Sequence, residues 1–290
     1  MMQSSVNSNP VPGAMPTVAA LLRGNALPRL EYSLLLAHLL QVTRESVLAH
    51  PETVLSAKGA EAFAELVGRR VRGEPIAYLV GMREFYGMRL RVTPEVLIPR
   101  PETELLVDAA LRRLAESATA RVLDLGTGSG AIAIAIAAQR PRARVEAVDV
   151  QPGAVELATA NARMHAVANA QFHQSDWYSG CREAHYEVIV SNPPYIAASD
   201  PHLAQGDLRF EPRIALTPGS DGLEAIRKIV LGAPAVLAPG GWLLFEHGYD
   251  QAERCRELMS RAGFAEIATL RDLAGIERVC EGRKPHVPAD

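Results

Sequence analysis

From Thr17 to about Gly73, apolar residues recur three and four positions apart, as in EYSLLLAHLL and from Glu61 to Arg70. That spacing predicts helices with one buried face. Pro28, Pro51 and Pro75 punctuate the run, so residues 17–75 form a small all-helical domain, near the lower end of size for independent folding. Ahead of it, residues 1–16 (MMQSSVNSNPVPGAMP) hold too little apolar content to pack and read as a flexible leader. Residues 76–99 form a β-hairpin linker, with Phe85, Met88, Leu90 and Val92 alternating imperfectly about Gly87. Residues 100–290 carry a different pattern. Glu102 and Glu104 sit in the first turn of a helix running to about Ala115. From Arg121, the β-rich runs RVLDLG, RVEAVDV, AQFHQSD, YEVIVSN and GWLLFEHG alternate mostly with helical patterns, which predicts an α/β domain whose parallel sheet has helices on both faces. EIATLRD and IERVCEG are joined by LAG alone. That link is too short for a crossover, so these runs form an antiparallel hairpin at the sheet edge. Residues 131–138, AIAIAIAA, alternate like a strand, but their place after a glycine turn and before a strand predicts a helix buried all round.

The 290 residues are 48% hydrophobic and 22% charged, ordinary for a globular protein. A net charge of -3 argues against a dedicated duplex-DNA binder, although a local basic patch is compatible with it. Cys181, Cys255 and Cys280 are scattered and form no CxxC pair, so a disulfide framework or zinc site is not expected, and the three pack as small hydrophobes in a reducing compartment. No apolar run has the length of a membrane span and no signal peptide is visible; the expected location is the cytoplasm. Arg69, Arg70 and Arg72 end the last helix of the first domain. They serve either its dipole or an acidic partner.

VLDLGTGSG, residues 122–130, takes a strand into a turn with Gly126, Gly128 and Gly130. Glycine permits positive φ and close approach of a ligand, and the following helix start offers backbone N–H groups. Asp149 ends the next strand about 20 residues later, where an acid accepts from ribose hydroxyls; the plainer role is capping the helix that begins near Pro152. The spacing G-T-G-S-G is not G-x-G-x-x-G, and Asp124 precedes it by two. An acid there suits a ligand with a positive end rather than a pyrophosphate, which favours S-adenosylmethionine, with its ammonium and sulfonium groups. The third strand ends in QSDW: Asp176 is placed to accept from an adenine amine and Trp177 to stack on the ring, unless Trp177 is simply a core residue.

The fourth strand ends in SNPPY, residues 191–195. Proline breaks a strand and stiffens the loop beyond it. In an open parallel sheet this end lies beside the ligand crevice. The amide of Asn192 and the carbonyl of Pro193 then present two acceptors to a planar nitrogen bearing two N–H groups. Such a nitrogen is a poor nucleophile, and two acceptors both hold it and feed electron density as a bond forms. Tyr195 packs on the flat face of the substrate group. The alternative is a structural strand-ending turn.

VLDLGTGSG with SNPPY resembles the N-methyltransferase branch of the class I S-adenosylmethionine-dependent fold. PIAYLVGMREFYG, LIPRPETELLV, FEPRIALTPGSDGLEAIRKI and DLAGIERV narrow the resemblance, over roughly Leu34 to Gly282, to the release factor glutamine methyltransferases, the PrmC or HemK family. The resemblance implies a Rossmann-like, mostly parallel sheet with an antiparallel edge strand, and S-adenosylmethionine as cofactor. It implies methylation of the glutamine side chain in the Gly-Gly-Gln motif of peptide-chain release factors, which the helical and catalytic domains grip together. On this sequence, Gly126, Thr127, Gly128, Ser129 and Gly130 would line the methionine part of the cofactor. Asp149 would bind the ribose, Asp176 and Trp177 would flank the adenine, and Asn192 would touch both cofactor and substrate. Pro193, Pro194 and Tyr195 would complete the substrate contacts, with Asn192, Pro193 and Tyr195 catalytic.

Two enzymatic alternatives share the need for SNPPY: glutamine methylation of a ribosomal protein, and adenine N6 methylation of nucleic acid. The acidic balance and lack of an added basic recognition domain disfavour the latter and any stable nucleic-acid partner. A non-enzymatic binding module would have no use for SNPPY. Arg100 and Glu102, with Glu211 and Arg213, either wall a substrate channel or form a salt-bridged scaffold. Glu246 and His247 read as a structural polar pair, and no metal site is expected.

Overall fold

The computed structural model describes residues 15–115, 119–181 and 185–286. Of the leader expected over 1–16, only Met15 and Pro16 are among them. The chain divides into two compact units, Met1–Val80 and Gly81–Asp290.

The first unit holds α1 (Val18–Leu21), α2 (Arg29–Leu40), α3 (Arg44–Ala49), α4 (Ala57–Val71) and α5 (Ile76–Val80). Thr17, Thr43 and Ser56 cap α1, α3 and α4, each side chain accepting from the N–H three residues on, which satisfies a donor the helix leaves orphaned. The apolar stripes meet in one core containing Leu35, Leu36, Val47, Phe63 and Leu79. At the end of α4, Arg69 binds Glu74 at 2.8 Å and Arg70 binds Glu31 at 2.8 Å, so both of these arginines are paired within the unit. The segment assigned to the linker, 76–99, opens with α5 in this unit.

The second unit begins with the antiparallel hairpin β1 (Met82–Phe85) and β2 (Met88–Arg91). A 3-10 turn, Pro101–Thr103, leads into α6 (Glu104–Arg113). Beyond it lie β3 (Arg121–Leu125), α7 (Ala131–Gln139), β4 (Arg144–Asp149), α8 (Pro152–Met164), β5 (Ala170–Gln174) and β6 (Tyr186–Ser191). Next come α9 (Arg213–Leu216), α10 (Glu224–Val236), β7 (Leu237–Glu246), α11 (Ala252–Arg261), β8 (Ala265–Arg271) and β9 (Glu277–Arg283). The seven-stranded sheet has the order β5-β4-β3-β6-β7-β9-β8. Strands β3 to β7 pair in parallel, and β9 runs antiparallel between β7 and the edge strand β8. The C-terminal hairpin therefore extends the sheet with its second strand, β9, next to β7 and its first, β8, at the edge.

The sheet is a double-sided core. One face packs Leu106, Val107 and residues 131–137 of α7 against Val122, Val145 and Val188. The other packs Ile226 and Ile229 of α10 and Cys255 and Met259 of α11 against Leu123, Ile189 and Leu243. Helix α7 has Ala131 through Ala137 all buried, which is why its sequence alternates without a polar side. Cys181, Cys255 and Cys280 are free thiols. Burial raises Cys255 to about 12 and Cys280 higher still.

Candidate active site

The strand order reverses direction between β3 and β6, since the chain runs outward through β4 and β5 before returning beside β3. Crevices for ligands form at such a reversal, outside the carboxyl ends of the strands. The register is specific here: Leu125 pairs with Ser191, Leu125 with Val148, and Asp149 with Gln174. The residues just past these partners are Gly126, Asn192 and Ser175, so three motifs far apart in sequence emerge side by side. The Ser191 hydroxyl donates to the Leu125 carbonyl at 2.7 Å and pins the two strand ends together.

A cavity of about 370 Å³ opens at this place, within the size range of small-molecule sites. Gly126, Thr127, Gly128, Ser129, Asp149, Asp176, Trp177, Asn192 and Pro194 all line it. Gly130, Pro193 and Tyr195 do not. Leu97 and Thr103 from the segment between β2 and α6, and Ile214 from α9, are among the other lining residues. Leu97 and Thr103 fall in LIPRPETELLV and Ile214 in FEPRIALTPGSDGLEAIRKI, stretches that carry the family resemblance without giving these side chains a role.

The three turn glycines all have positive φ, at 73°, 54° and 84° for Gly126, Gly128 and Gly130, but their surroundings differ. A Cβ on Gly128 would meet nothing within 4 Å. One on Gly130 would lie 2.9 Å from Ile134 and 3.0 Å from Ala158. Gly128 thus keeps the cavity clear, whereas Gly130 lets α7 and α8 close on each other. The turn's N–H groups are largely spent inside the protein. Gly126 and Thr127 both donate to the Val148 carbonyl, Gly130 donates to the Thr127 carbonyl, and Gly128 donates to Asp149 Oδ2, each at 2.9 Å. A pyrophosphate would find few donors here. Asn161, fully buried on α8, donates to the carbonyls of Ser129 and Arg91 and accepts from the Arg91 N–H, tying the turn to the hairpin.

Carboxylates face the turn. Asp149 Oδ1 accepts from the Gln151 N–H at 2.9 Å, so it supports the start of α8 as well as bordering the cavity; each oxygen keeps a further lone pair. Burial raises its carboxyl, opposed by the N–H groups of Gln151 and Gly128. Asp124 is fully buried, accepts from the Thr127 hydroxyl at 2.7 Å and has no partner for Oδ1. Burial pushes it up to about 7 against that hydrogen bond, with Asp149 adding to the rise. The Trp177 ring lies over Gly126, and its backbone holds a left-handed φ of 52°. Ser175 secures that turn, donating to the Trp177 carbonyl and accepting from the Gly180 N–H, both at 2.8 Å. Such strain persists where surrounding bonds over-determine it.

At the other wall, Asn192 Nδ2 donates to the Thr103 hydroxyl at 3.1 Å. Thr103 donates in turn to Glu246 Oε2 at 2.6 Å, and the Tyr195 hydroxyl donates to Glu246 Oε1 at 2.8 Å. Burial raises the Glu246 carboxyl, and these two hydrogen bonds and Arg278 pull the other way. The Tyr195 phenol is raised by burial and by Glu246. Gln251 donates to the Tyr195 carbonyl at 2.9 Å and holds the loop after the prolines. Glu246 and His247 do not pair with each other. His247 turns to the Gly248 carbonyl at 2.8 Å, its Nε2 is unpartnered, and burial lowers its pKa. Arg100 and Glu211 form a salt bridge with Glu211 fully buried, and Glu211 also accepts from the Ile98 N–H at 3.3 Å. Burial raises Glu211, with Arg100 opposing. Arg213 is exposed at the start of α9. No group of three or more His, Cys, Asp or Glu side chains suited to a metal ion occurs among the described residues.

Residues 15–81 match the family described as the PrmC N-terminal domain, and residues 102–207 match the methyltransferase small domain. A release factor glutamine methyltransferase from Burkholderia pseudomallei is 51% identical over 275 residues, 93% of this chain and 96% of that protein. One from Pseudomonas aeruginosa is 48% identical over 274 residues, covering 93% and 99%. A solved methyltransferase structure from Pyrococcus furiosus aligns with a TM-score of 0.54 at 18% identity, over 77% of this chain and 99% of that one, a likeness of fold.

Proposed function

Given that the chain belongs to the release factor glutamine methyltransferase family, as identity near one half across nine-tenths of its length shows, we propose that it methylates the glutamine side-chain nitrogen in the Gly-Gly-Gln motif of release factors. The methyl donor in this reading is S-adenosylmethionine. The observation that carries it is the juxtaposition of Asn192 with the glycine turn at the carboxyl ends of β6 and β3.

The cavity suits that donor. Its turn has spent most of its N–H groups internally, so it is not built for phosphate, and Asp149, which lines it, favours a ligand with hydroxyl donors. Asp149 would accept from the ribose, Trp177 would stack on the adenine beside Asp176, and Gly128 would leave room for the methionine part. When bound, S-adenosylmethionine supplies an electrophilic methyl group.

The chain's own residues act on the acceptor. Asn192 Oδ1 and the Pro193 carbonyl would each accept one N–H of the glutamine amide, fixing its plane and raising its electron density as the new bond forms. Pro194 lines the approach. Tyr195, anchored through its hydroxyl to Glu246, would set the loop against the amide. No strong base is required, because the nitrogen becomes far more acidic once alkylated. The helical unit would contribute to gripping the release factor. Among the described residues no helix is long and apolar enough to cross a membrane; the site of action in this reading is the cytoplasm, with no stable nucleic-acid partner.

The test is Asn192→Ala with two readouts. S-adenosylmethionine affinity should stay within about threefold while turnover falls at least about 100-fold, the loss of a hydrogen bond made at the reacting centre. Collapse of cofactor affinity would contradict the role given to Asn192.

A further inference from the structure

We propose that Glu246 is a positioning residue that acts through Thr103 to fix which end of the Asn192 amide faces the substrate. The proposal rests on Asn192 being the acceptor for the glutamine amide.

The chain of hydrogen bonds is Asn192 Nδ2 to Thr103 Oγ1 to Glu246 Oε2, at 3.1 and 2.6 Å. A threonine hydroxyl has one proton to give. An ionised carboxylate only accepts, so Thr103 must spend its proton on Glu246. Its oxygen is then an acceptor toward Asn192, and the amide must turn its NH2 inward. Oδ1 is left for the cavity, where an incoming amide brings only N–H donors. If Glu246 carried a proton on the oxygen facing Thr103, the chain could run backwards. Thr103 would then donate to Oδ1, and the NH2 of Asn192 would meet the donors of the substrate. Without a polarised partner, an amide has little reason to prefer either end.

The setting matches this use. Glu246 is the last residue of β7 and is buried, at 1% exposure. It does not line the cavity, whereas Thr103 and Asn192 do. A buried carboxyl is costly unless its partners justify the charge. Its second oxygen is occupied by the Tyr195 hydroxyl, which donates to the same ionised form. Arg278 on β9 favours ionisation, and Glu102 in the 3-10 turn opposes it. His247 faces away toward Gly248. One carboxylate thereby orients two residues of SNPPY at once.

The test uses the full-length protein and a release factor as substrate, comparing Thr103→Val, Thr103→Ser, Glu246→Gln and Asn192→Ala. Thr103→Val should lower kcat about 10- to 100-fold, with S-adenosylmethionine affinity within about twofold of wild type. Thr103→Ser should recover most of the loss. In the wild type, kcat should rise with pH as Glu246 ionises. That acid limb should be absent from Thr103→Val, a change that a packing role would not produce. Should Thr103→Val fail to fold, Glu246→Gln carries the same expectation of lowered kcat, unchanged cofactor affinity and no acid limb. Thr103→Val or Glu246→Gln with wild-type kcat, while Asn192→Ala is inactive, overturns the relay and leaves the glutamine reading standing. Joint loss of turnover and cofactor affinity in Thr103→Val, unrescued by serine, also overturns it. Full turnover in Asn192→Ala refutes the underlying reading instead.

Discussion

Gly128 and Gly130 stand two residues apart in one turn, and alanine at each should fail in a different way. At Gly130 the backbone has φ 84°, and the new methyl would sit 2.9 Å from Ile134 Cδ1, 3.0 Å from Ala158 Cβ and 3.2 Å from Ala158 Cα. The left-handed conformation costs an L-residue about 1–2 kcal/mol. Overpacking a filled core costs about 1–3 kcal/mol more, and the Ala158 backbone cannot move without shifting α8. The total, about 2–5 kcal/mol, is a large share of the ~5–15 kcal/mol that holds a domain. Gly128 has φ 54° and open space where its Cβ would be, so Gly128→Ala should cost only the conformational part, about 1–2 kcal/mol. Its methyl would intrude on the cavity instead, and S-adenosylmethionine affinity should fall at least about tenfold, roughly 1.4 kcal/mol. Urea unfolding followed by tryptophan fluorescence and equilibrium dialysis with labelled S-adenosylmethionine measure the two effects. Gly130→Ala within about 0.5 kcal/mol of wild type, or Gly128→Ala as the more destabilised of the two, would refute the assignment.

Three further outcomes are expected from the same geometry. Asp149→Ala should weaken S-adenosylmethionine at least about 30-fold by dialysis, through lost charge-assisted acceptors; unchanged affinity in a folded variant would remove Asp149 from the ribose contact. Burial holds the Asp124 carboxyl near about 7, above the roughly 3.9 of an unfolded chain. The folded protein therefore keeps a proton that the unfolded chain has lost, and this stability is full below about pH 4 and disappears as pH rises through about 7, by at most about 4 kcal/mol. Urea midpoints at pH 5 and pH 8 should show the part of that fall above pH 5, at most about 2.7 kcal/mol, in the ligand-free protein, and Asp124→Asn should reduce it. Leu36→Ala, at a position with no exposure in the helical unit, should cost about 2–5 kcal/mol by calorimetry. Cofactor affinity should be unaffected, because the lining residues all belong to the second unit.

Local pattern controls the features that are legible in the sequence. Turn-forming glycines, strand-ending prolines and the acid that ends β4 mark their positions through backbone conformation, and a parallel sheet brings strand ends together without further instruction. Residues 131–138 show the limit of periodicity: the alternation of Ile and Ala is that of a strand, and their helicity comes from the order of elements and burial on every side. The distinct reason for Gly130 was hidden because it depends on Ala158 of α8. Thr103 was invisible as a site residue, since it meets Asn192 across 89 residues and Glu246 across 143. Glu246 reads in sequence as half of a polar pair with His247, yet its partners come from the 3-10 turn and the SNPPY loop. Arg100 and Glu211 pair across 111 residues, a contact that no local pattern reveals. Long-range polar contacts leave no periodic trace, whereas the hydrophobic faces do.

Product mapping tests the methylated residue most directly. The purified protein would be incubated with labelled S-adenosylmethionine and, separately, a release factor, the same factor with its Gly-Gly-Gln glutamine changed to alanine, and duplex DNA, with products mapped by mass. Label confined to that one glutamine, and absent from the alanine variant and from DNA, is the predicted result. Label on DNA alone, or on the alanine variant to the same extent as on the native factor, would contradict it.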